Sequence, residues 1–352
     1  MKNRVNKILL IWAIVVSVAL VALGVFEVVR IAGHSKLQSK NAITAPVTTS
    51  TEVLTESENE LQWQDDWVKH NGTIYDYNED IITFLVMGID KMDEEVKEVY
   101  GEIAGGQADA IFLLVFNPHD RTTKVIGVNR NTMTDIEIYD EYGNYMTTYK
   151  AQLAVQHGFG DGVEGSCELE KRAVSNLFYQ LPIHGYAAIN MSAIETINDA
   201  VGGVEVTPEE DFSTKDFTFK KGETIRLDGE QAFAYVRGRK LDQIGSADRR
   251  LSRQKQYLTE FIKQVISRAD NGPALAVDIY KAISKQMTTD VTVDELSYVA
   301  STVSSYSFDN DSFYLLKGKT TMGEEFEEFY PDEDAMYEMF LEIFYEPVEV
   351  DG

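Results

Sequence analysis

Cysteine is nearly absent from this sequence of 352 residues, which contains only Cys167. A single thiol allows neither an intrachain disulfide framework nor a cysteine-rich zinc site. The five histidines are scattered along the chain, and none is paired in sequence with a nucleophile. The signatures GxxxxGK[ST], GxSxG and HExxH are missing, and no GxGxxG follows a predicted strand. These absences argue against serine, cysteine and zinc hydrolases.

Basic residues are also scarce, since 32 Lys and Arg stand against 58 Asp and Glu, for a net charge of −26. A chain this acidic has no bulk electrostatic attraction for DNA or RNA, so nucleic-acid binding is disfavoured. Hydrophobic residues make up 44% and aromatic residues 11% of the chain, which excludes wholesale disorder. The length allows one large domain or two small ones.

The amino terminus carries a long apolar run, residues 8–26, without a charged side chain. As a helix this run is roughly 28 Å long, close to the hydrocarbon thickness of a bilayer. We therefore predict a cytoplasmic tail over 1–7 and a transmembrane anchor over 8–28. A cleaved signal peptide is the alternative. The basic residues are denser before the span than after it, which favours a plasma-membrane protein whose body lies outside the cell.

A polar segment follows the predicted anchor. Residues 41–60 contain five Thr, two Ser, four Glu and no basic residue, with neither helical nor strand periodicity. Such a composition is typical of a flexible spacer. We therefore predict an extracellular stalk over 29–75 and a folded domain over 76–350.

The folded domain alternates short apolar strands with helical stretches, which predicts an α/β fold of αβα layers around a central mixed sheet. The predicted strands cover 81–89, 110–116 and 124–128. Capping boxes at Ser192–Glu195 and Asp228–Gln231 predict two helix starts, and the longest helix is expected over 250–268. Residues 323–352 carry twelve acids, yet Met336, Phe340 and Phe344 keep helical spacing. A docked helix with an acidic face is predicted there, and a disordered acidic tail is the alternative.

Basic residues are concentrated in one window, 237–255, which holds seven Lys and Arg against two Asp. On a helix, Arg250, Arg253 and Gln254 share one face, and Arg237 and Arg239 lie just beyond the end of the preceding helix. Guanidinium forks suit bidentate binding of phosphate oxygens. The window therefore predicts an anion site, and a solvated helix face is the alternative.

Carboxylates are expected to meet at one end of the predicted sheet. A hairpin of 110–116 with 124–128 sets Asp109 opposite Asn131 and beside Arg130. If 81–89 runs antiparallel to 110–116, Asp90 joins Asp109 at the same end. Two carboxylates suit Mg²⁺, which also takes waters and substrate phosphates. The alternative is that these are ordinary turn aspartates.

Six motifs in order then resemble the LytR-CpsA-Psr family: FLVMGID, GQADAIFLLVFNP, KVIGVNRNTM, AVGGVEV, LDGEQAFAYVRGRK and RRLSRQ. The resemblance covers about 80–270, and the predicted anchor and stalk fit the layout of the family. It implies a membrane-anchored, Gram-positive cell-wall enzyme that transfers a glycopolymer from a polyprenyl-pyrophosphate carrier to peptidoglycan. The prenyl chain of the carrier is expected in an apolar tunnel between the sheet and the helices.

Site residues follow from the same resemblance. Asp90 and Asp109 are expected to hold Mg²⁺, and Asp109 and Arg130 to be catalytic. The residues expected to bind the pyrophosphate are Gln107, Arg130, Arg237, Arg239, Arg250 and Gln254.

Two positions depart from the family pattern. Gln107 stands where an arginine is usual, and Asn131 stands where an aspartate is usual. Compared with the family pattern, Gln107 removes a positive charge from the predicted pyrophosphate site, and Asn131 removes a negative charge. These departures leave two alternatives open, a non-catalytic tether for lipid-linked polymers and a pyrophosphatase acting on the same lipid. A transcription regulator is disfavoured by the acidic body and its predicted place outside the cell.

Overall fold

The computed structural model describes residues 31–37, 45–50, 52, 63–64, 66–99, 103–140, 142–238, 244–267 and 272–348. Within those ranges, no helix is both long enough and apolar enough to cross a membrane. The predicted cytoplasmic tail 1–7 and anchor 8–28 lie outside the described residues, and so does Arg239.

The described chain contains short strands and longer helices in alternation. The strands are β1 (Val68–His70), β2 (Thr73–Tyr77), β3 (Ile82–Ile89), β4 (Ala108–Asn117), β5 (Thr122–Val128), β6 (Met133–Tyr139), β7 (Tyr145–Gln152), β8 (Gly185–Asn190), β9 (Val204–Val206), β10 (Phe212–Ser213), β11 (Thr218–Phe219), β12 (Ile225–Leu227), β13 (Met287–Thr289), β14 (Phe313–Leu315), β15 (Gly318–Met322), β16 (Glu327–Pro331) and β17 (Tyr345–Pro347). The helices are α1 (31–37), α2 (Glu164–Leu177), α3 (Ile194–Ala200), α4 (Gly229–Arg237), α5 (Ser246–Ser267), α6 (Gly272–Ile283), α7 (Val293–Val303) and α8 (Glu333–Phe344). Short 3-10 helices cover Leu153–Phe159, Met191–Ala193, Ser284–Gln286 and Asn310–Ser312.

A six-stranded mixed sheet forms the centre of the fold, in the order β13-β8-β3-β4-β5-β14. The three predicted strands are β3, β4 and β5, and they pair antiparallel in sequence order. β8 runs parallel to β3, and β14 runs parallel to β5. The predicted α/β class with a central mixed sheet is therefore confirmed.

Helices cover both faces of this sheet, as the αβα prediction requires. On one face, Val174 of α2 and Phe340 of α8 pack with Leu113 of β4 in the main core. On the other face, Leu251 of α5 packs against Phe112 of β4, and α7 covers the opposite end of the sheet. The docked carboxyl-terminal helix is confirmed, and the disordered-tail alternative is wrong for Glu333–Phe344.

The longest helix, α5, lies between the sheet and a smaller apolar cluster. Its Leu251 and Leu258 pack toward the sheet. Tyr257 and Phe261 instead pack in the cluster formed with α4 and the β9–β12 segment. Because α5 is covered on two sides, polar residues between these apolar ones are buried as well. Arg250 and Arg253 are therefore buried rather than exposed to solvent.

Two sequence predictions need correction. The stalk predicted over 29–75 is wrong for β1 and β2, which pair with each other and with β17, and for 31–37, where the Leu37 side chain is 1% exposed in an apolar cluster. The sequence did not indicate these elements, because their apolar side chains lie in short segments among polar residues. The capping box at Ser192 does not form, because this hydroxyl donates to the Asp93 carbonyl and Ala193 is the N-cap of α3. The Asp228 capping box is confirmed.

Candidate anion and metal site

Asp90 and Asp109 lie at the same end of the central sheet, as the strand pairing predicted. Asp90 directly follows β3, and its backbone N–H donates to the Gln107 carbonyl at 3.0 Å. Gly88 pairs with Ala110 and Ile89 with Ala108, so Asp109 is the extra residue of a β-bulge. A bulge redirects the side chain of the inserted residue and is common beside active sites.

The β4–β5 hairpin brings Arg130 to Asp109, but its register differs by one residue from the prediction. Ile111 pairs with Val128, so the same register continued sets Asp109 against Arg130 rather than Asn131. Arg130 Nη1 lies 2.5 Å from Asp109 Oδ1. Although the ions touch, this oxygen has no partner in hydrogen-bond geometry, so the contact is ionic rather than a directed hydrogen bond.

Arg250 binds the same carboxylate from the other side. Its Nη1 donates to Asp109 Oδ2 at 2.7 Å, and its Nη2 donates to the Asp109 carbonyl at 3.1 Å. The side chains of Arg250 and Asp109 are 4% and 6% exposed. A buried carboxylate thus lies between two guanidinium groups supplied by segments far apart in the sequence.

Arg237 extends this cluster to the surface. It is the last residue of α4, and its Nη2 donates to Asp90 Oδ1 at 3.3 Å. Both side chains are 44% exposed. An exposed ion pair of this kind is weak, so an incoming phosphate can displace Asp90 from Arg237 at little cost.

Arg253 and Gln254 hold the end of α4 that carries Arg237. Arg253 Nε donates to the Tyr235 carbonyl at 3.2 Å, and Gln254 Nε2 donates to the Val236 carbonyl at 3.2 Å. Both side chains are buried, so the solvated-face alternative is wrong for this part of α5. Gln254, expected to bind pyrophosphate, here satisfies a carbonyl that the helix end leaves unpaired.

Gln107, at the first departure from the family pattern, contacts Arg130. Its Oε1 accepts a hydrogen bond from Arg130 Nη2. The neutral amide therefore orients Arg130 without adding a charge to the cluster.

Glu170, which the sequence analysis missed, lies fully buried on α2. Burial raises the pKa of its carboxyl to about 8, and nearby Arg130 lowers it only in part. Its Oε2 accepts from the His157 backbone N–H at 2.9 Å. Glu170 follows Cys167 by three residues and precedes Val174 by four. This helical spacing places an acid on the apolar face of α2, so the sequence did indicate that Glu170 is buried.

We expect the stability of the fold to decrease as pH rises because of Glu170. The folded state holds the proton up to a pKa of about 8, whereas the ordinary pKa of a glutamate carboxyl is 4.5, so the native state binds more protons between these values. The full pKa shift corresponds to on the order of 5 kcal/mol of unfolding free energy. Buried His157, with its pKa lowered to about 4, has the opposite effect between pH 4 and 6.5.

The measurement is the unfolding midpoint of the full-length chain in detergent from pH 5 to 9. Glu170→Gln keeps an acceptor for the His157 N–H but has no proton to lose, so the stability of the variant relative to wild type should increase with pH. Parallel pH curves for the two proteins would contradict a neutral Glu170.

A magnesium ion fits Asp90 and Asp109 by the chemistry of their donors. Both supply hard carboxylate oxygens at one end of the sheet, and Asp109 Oδ1 has no directed hydrogen bond. Among the described residues, no group of three or more His, Cys, Asp and Glu could hold a metal. A two-carboxylate site completed by waters and phosphate oxygens suits Mg²⁺, whose geometry rarely needs an all-protein cage.

The fold and this site together define a class of protein. Residues 44–342 match the model of the LytR_cpsA_psr family, so the chain belongs to that family. The TagU protein of Enterococcus faecalis, named polyisoprenyl-teichoic acid–peptidoglycan teichoic acid transferase, is 29% identical over 63% of this chain and 66% of its own length. The Oceanobacillus iheyensis TagU is 30% identical over 62% of this chain and 61% of its own length. The matches therefore span less than two thirds of these relatives.

Solved structures share the fold. The crystal structure of B. subtilis TagV superposes with a TM-score of 0.57 at 22% identity, covering 75% of this chain and 95% of TagV.

Proposed function

We propose that this chain transfers a glycopolymer from a polyprenyl-pyrophosphate carrier to peptidoglycan during cell-wall assembly. The convergence of Arg130 and Arg250 on the bulged Asp109, with Arg237 alongside, carries the proposal. Preorganised guanidinium groups in a partly buried site suit the two adjacent phosphates of such a carrier. The TagU relatives, named as teichoic acid transferases, support the choice of substrate class.

The proposed reaction is a phosphoryl transfer. An acceptor hydroxyl oxygen bonds to the phosphorus nearest the sugar, and the bond from that phosphorus to the bridging oxygen breaks. Polyprenyl phosphate leaves, and the hydroxyl proton goes to solvent or a base. Arg130, Arg237 and Arg250 stabilise charge on the transferring and departing phosphates.

Asp90 and Asp109 would hold Mg²⁺, which when bound would neutralise charge on the phosphate oxygens. Asp109 orients the two arginines that flank it. Burial raises the pKa of the neighbouring Glu170 carboxyl to about 8, so it competes less with Asp109 for Arg130 at neutral pH.

We propose that one membrane span over 8–28 anchors the protein, with the bulk of the chain outside the plasma membrane. The apolar layer between β4 and α5, which includes Phe112 and Leu258, adjoins Arg250. We propose that the prenyl chain of the carrier lies along this layer, next to the phosphate site.

Magnesium-stimulated release of polyprenyl phosphate tests this proposal. Full-length protein in detergent is given a synthetic polyprenyl pyrophosphate bearing one labelled sugar, with peptidoglycan as acceptor. Release is expected with Mg²⁺, and it should stop when a chelator removes the metal. Arg226→Ala, an exposed arginine paired with Glu205, is the matched control and should behave like wild type. Tight lipid binding without release would favour the non-catalytic tether instead.

A further inference from the structure

Glu327, at the start of β16, connects the two segments that deliver arginines to Asp109. Its Oε1 accepts from the backbone N–H groups of Gly245 at 2.9 Å and Ser246 at 3.4 Å, where α5 begins. Its Oε2 accepts from Asn131 Nδ2 at 3.4 Å. The carboxylate is buried, and its charge is stabilised by the positive end of the α5 dipole.

Each of these contacts lies close to an arginine of the site. Asn131 directly follows Arg130, and Ser246 precedes Arg250 by one helical turn. Both arginines bind Asp109. The Glu327 carboxylate therefore sets the separation of the Arg130 and Arg250 guanidinium groups.

Further bonds hold the β15–β16 hairpin in the same place. Asp248, in the first turn of α5, accepts from Asn129 Nδ2 at 2.5 Å and from Thr320 Oγ1 of β15 at 2.7 Å. The Phe329 N–H of β16 donates to the Asn131 carbonyl at 2.9 Å. The hairpin thus contacts both arginine-bearing segments at more than one point.

The chemistry of the pair disfavours a carboxylate at position 131. An aspartate there would set two buried carboxylates about as close as the present 3.4 Å contact. Like charges at such a distance in a poorly solvated site disfavour each other strongly. The amide of Asn131 avoids this repulsion and donates a hydrogen bond to the Glu327 carboxylate instead.

We infer that Glu327 is a positioning residue that holds Arg130 and Arg250 in register around Asp109, with Asn131 as its obligatory neutral partner. The position where the family usually has an aspartate thus faces the carboxylate of Glu327 in this chain. The inference deepens the proposed function and rests on it for the turnover measurement.

A charge exchange in the full-length chain tests the inference. Asn131→Asp should lower both the affinity for inorganic pyrophosphate and turnover of the labelled lipid at least tenfold, because two carboxylates face each other. Glu327→Gln should cause a smaller loss. The double variant N131D/E327Q restores an amide–carboxylate pair with exchanged roles, since the Gln oxygen can still accept from Gly245. It should recover at least tenfold over Asn131→Asp.

The neighbouring Glu328→Gln, combined with Asn131→Asp, is the matched control and should give no recovery. A simple loss of packing would not be repaired by exchanging the charges. The inference is overturned if Asn131→Asp binds pyrophosphate like wild type, or if the double variant is no better than that single variant. If the wild-type protein releases no polyprenyl phosphate, the proposed function fails, whereas pyrophosphate affinity across the same four variants still decides the role of Glu327.

Discussion

Asp109→Asn should abolish turnover, lower the free energy of unfolding by about 3 kcal/mol, and leave pyrophosphate binding at least as tight as in wild type. The loss of stability follows because the substitution leaves buried Arg250 and Arg130 without their shared counter-charge, and breaking a buried ion pair from one side is costly. Pyrophosphate binding is retained because the Asp109 carboxylate no longer competes with the phosphate for Arg130 and Arg250. Turnover is lost because a proposed metal ligand and the group that orients both arginines disappear together.

Turnover, pyrophosphate affinity and chemical unfolding of the full-length protein check this prediction. Asp135→Asn, at an exposed position on β6, is the matched control and should leave all three unchanged. Asp90→Asn, at a half-exposed position, should reduce turnover with little effect on stability. Full activity in Asp109→Asn would remove the carboxylate from the mechanism.

Arg250→Ala should weaken pyrophosphate binding roughly ten- to a hundredfold and reduce turnover below detection. A charge-assisted hydrogen bond to phosphate contributes about 1.5–3 kcal/mol, which sets that range. The effect on turnover is larger because Arg250 also holds Asp109 by two hydrogen bonds, one to Oδ2 and one to the backbone carbonyl.

Arg250→Lys separates charge from geometry. Lysine keeps the positive charge but cannot form the two-pronged contact, so binding should be partly retained while turnover stays low. The exposed Arg226→Ala is again the matched control. Equal turnover in wild type and Arg250→Ala would show that the buried cluster serves only the fold.

Local patterns in the sequence were sufficient for β3, β4 and β5 of the central sheet and for placing Asp90, Asp109 and Arg130 at one end of it. Short apolar strands joined by a tight turn leave few possible pairings, so neighbouring strand ends can be placed together. The bulge at Asp109 was not predictable, because one inserted residue changes the pairing of β4 with β3 without changing the apolar pattern. The shift from Asn131 to Arg130 has a separate origin in the β4–β5 turn, which sets Asn117 against Thr122.

The environment of α5 shows a second limit. A run of arginines normally indicates a solvated face, and only the packing of α5 between two apolar clusters buries Arg250 and Arg253. Glu327 was missed for a related reason. It lies 196 residues from Asn131 in sequence, within an acidic stretch that indicates surface, so only the folded hairpin shows its contact.

Transfer of sugar phosphate to peptidoglycan is the measurement that tests the central claim most directly. The full-length protein, Mg²⁺, a polyprenyl pyrophosphate bearing one labelled sugar and purified peptidoglycan are incubated, and both products are identified by mass spectrometry. We expect labelled sugar joined to peptidoglycan through one phosphate, with an equal amount of polyprenyl phosphate, and neither product with Asp109→Asn. Release of polyprenyl phosphate with the label found only as free sugar phosphate would contradict a transferase and indicate a pyrophosphatase.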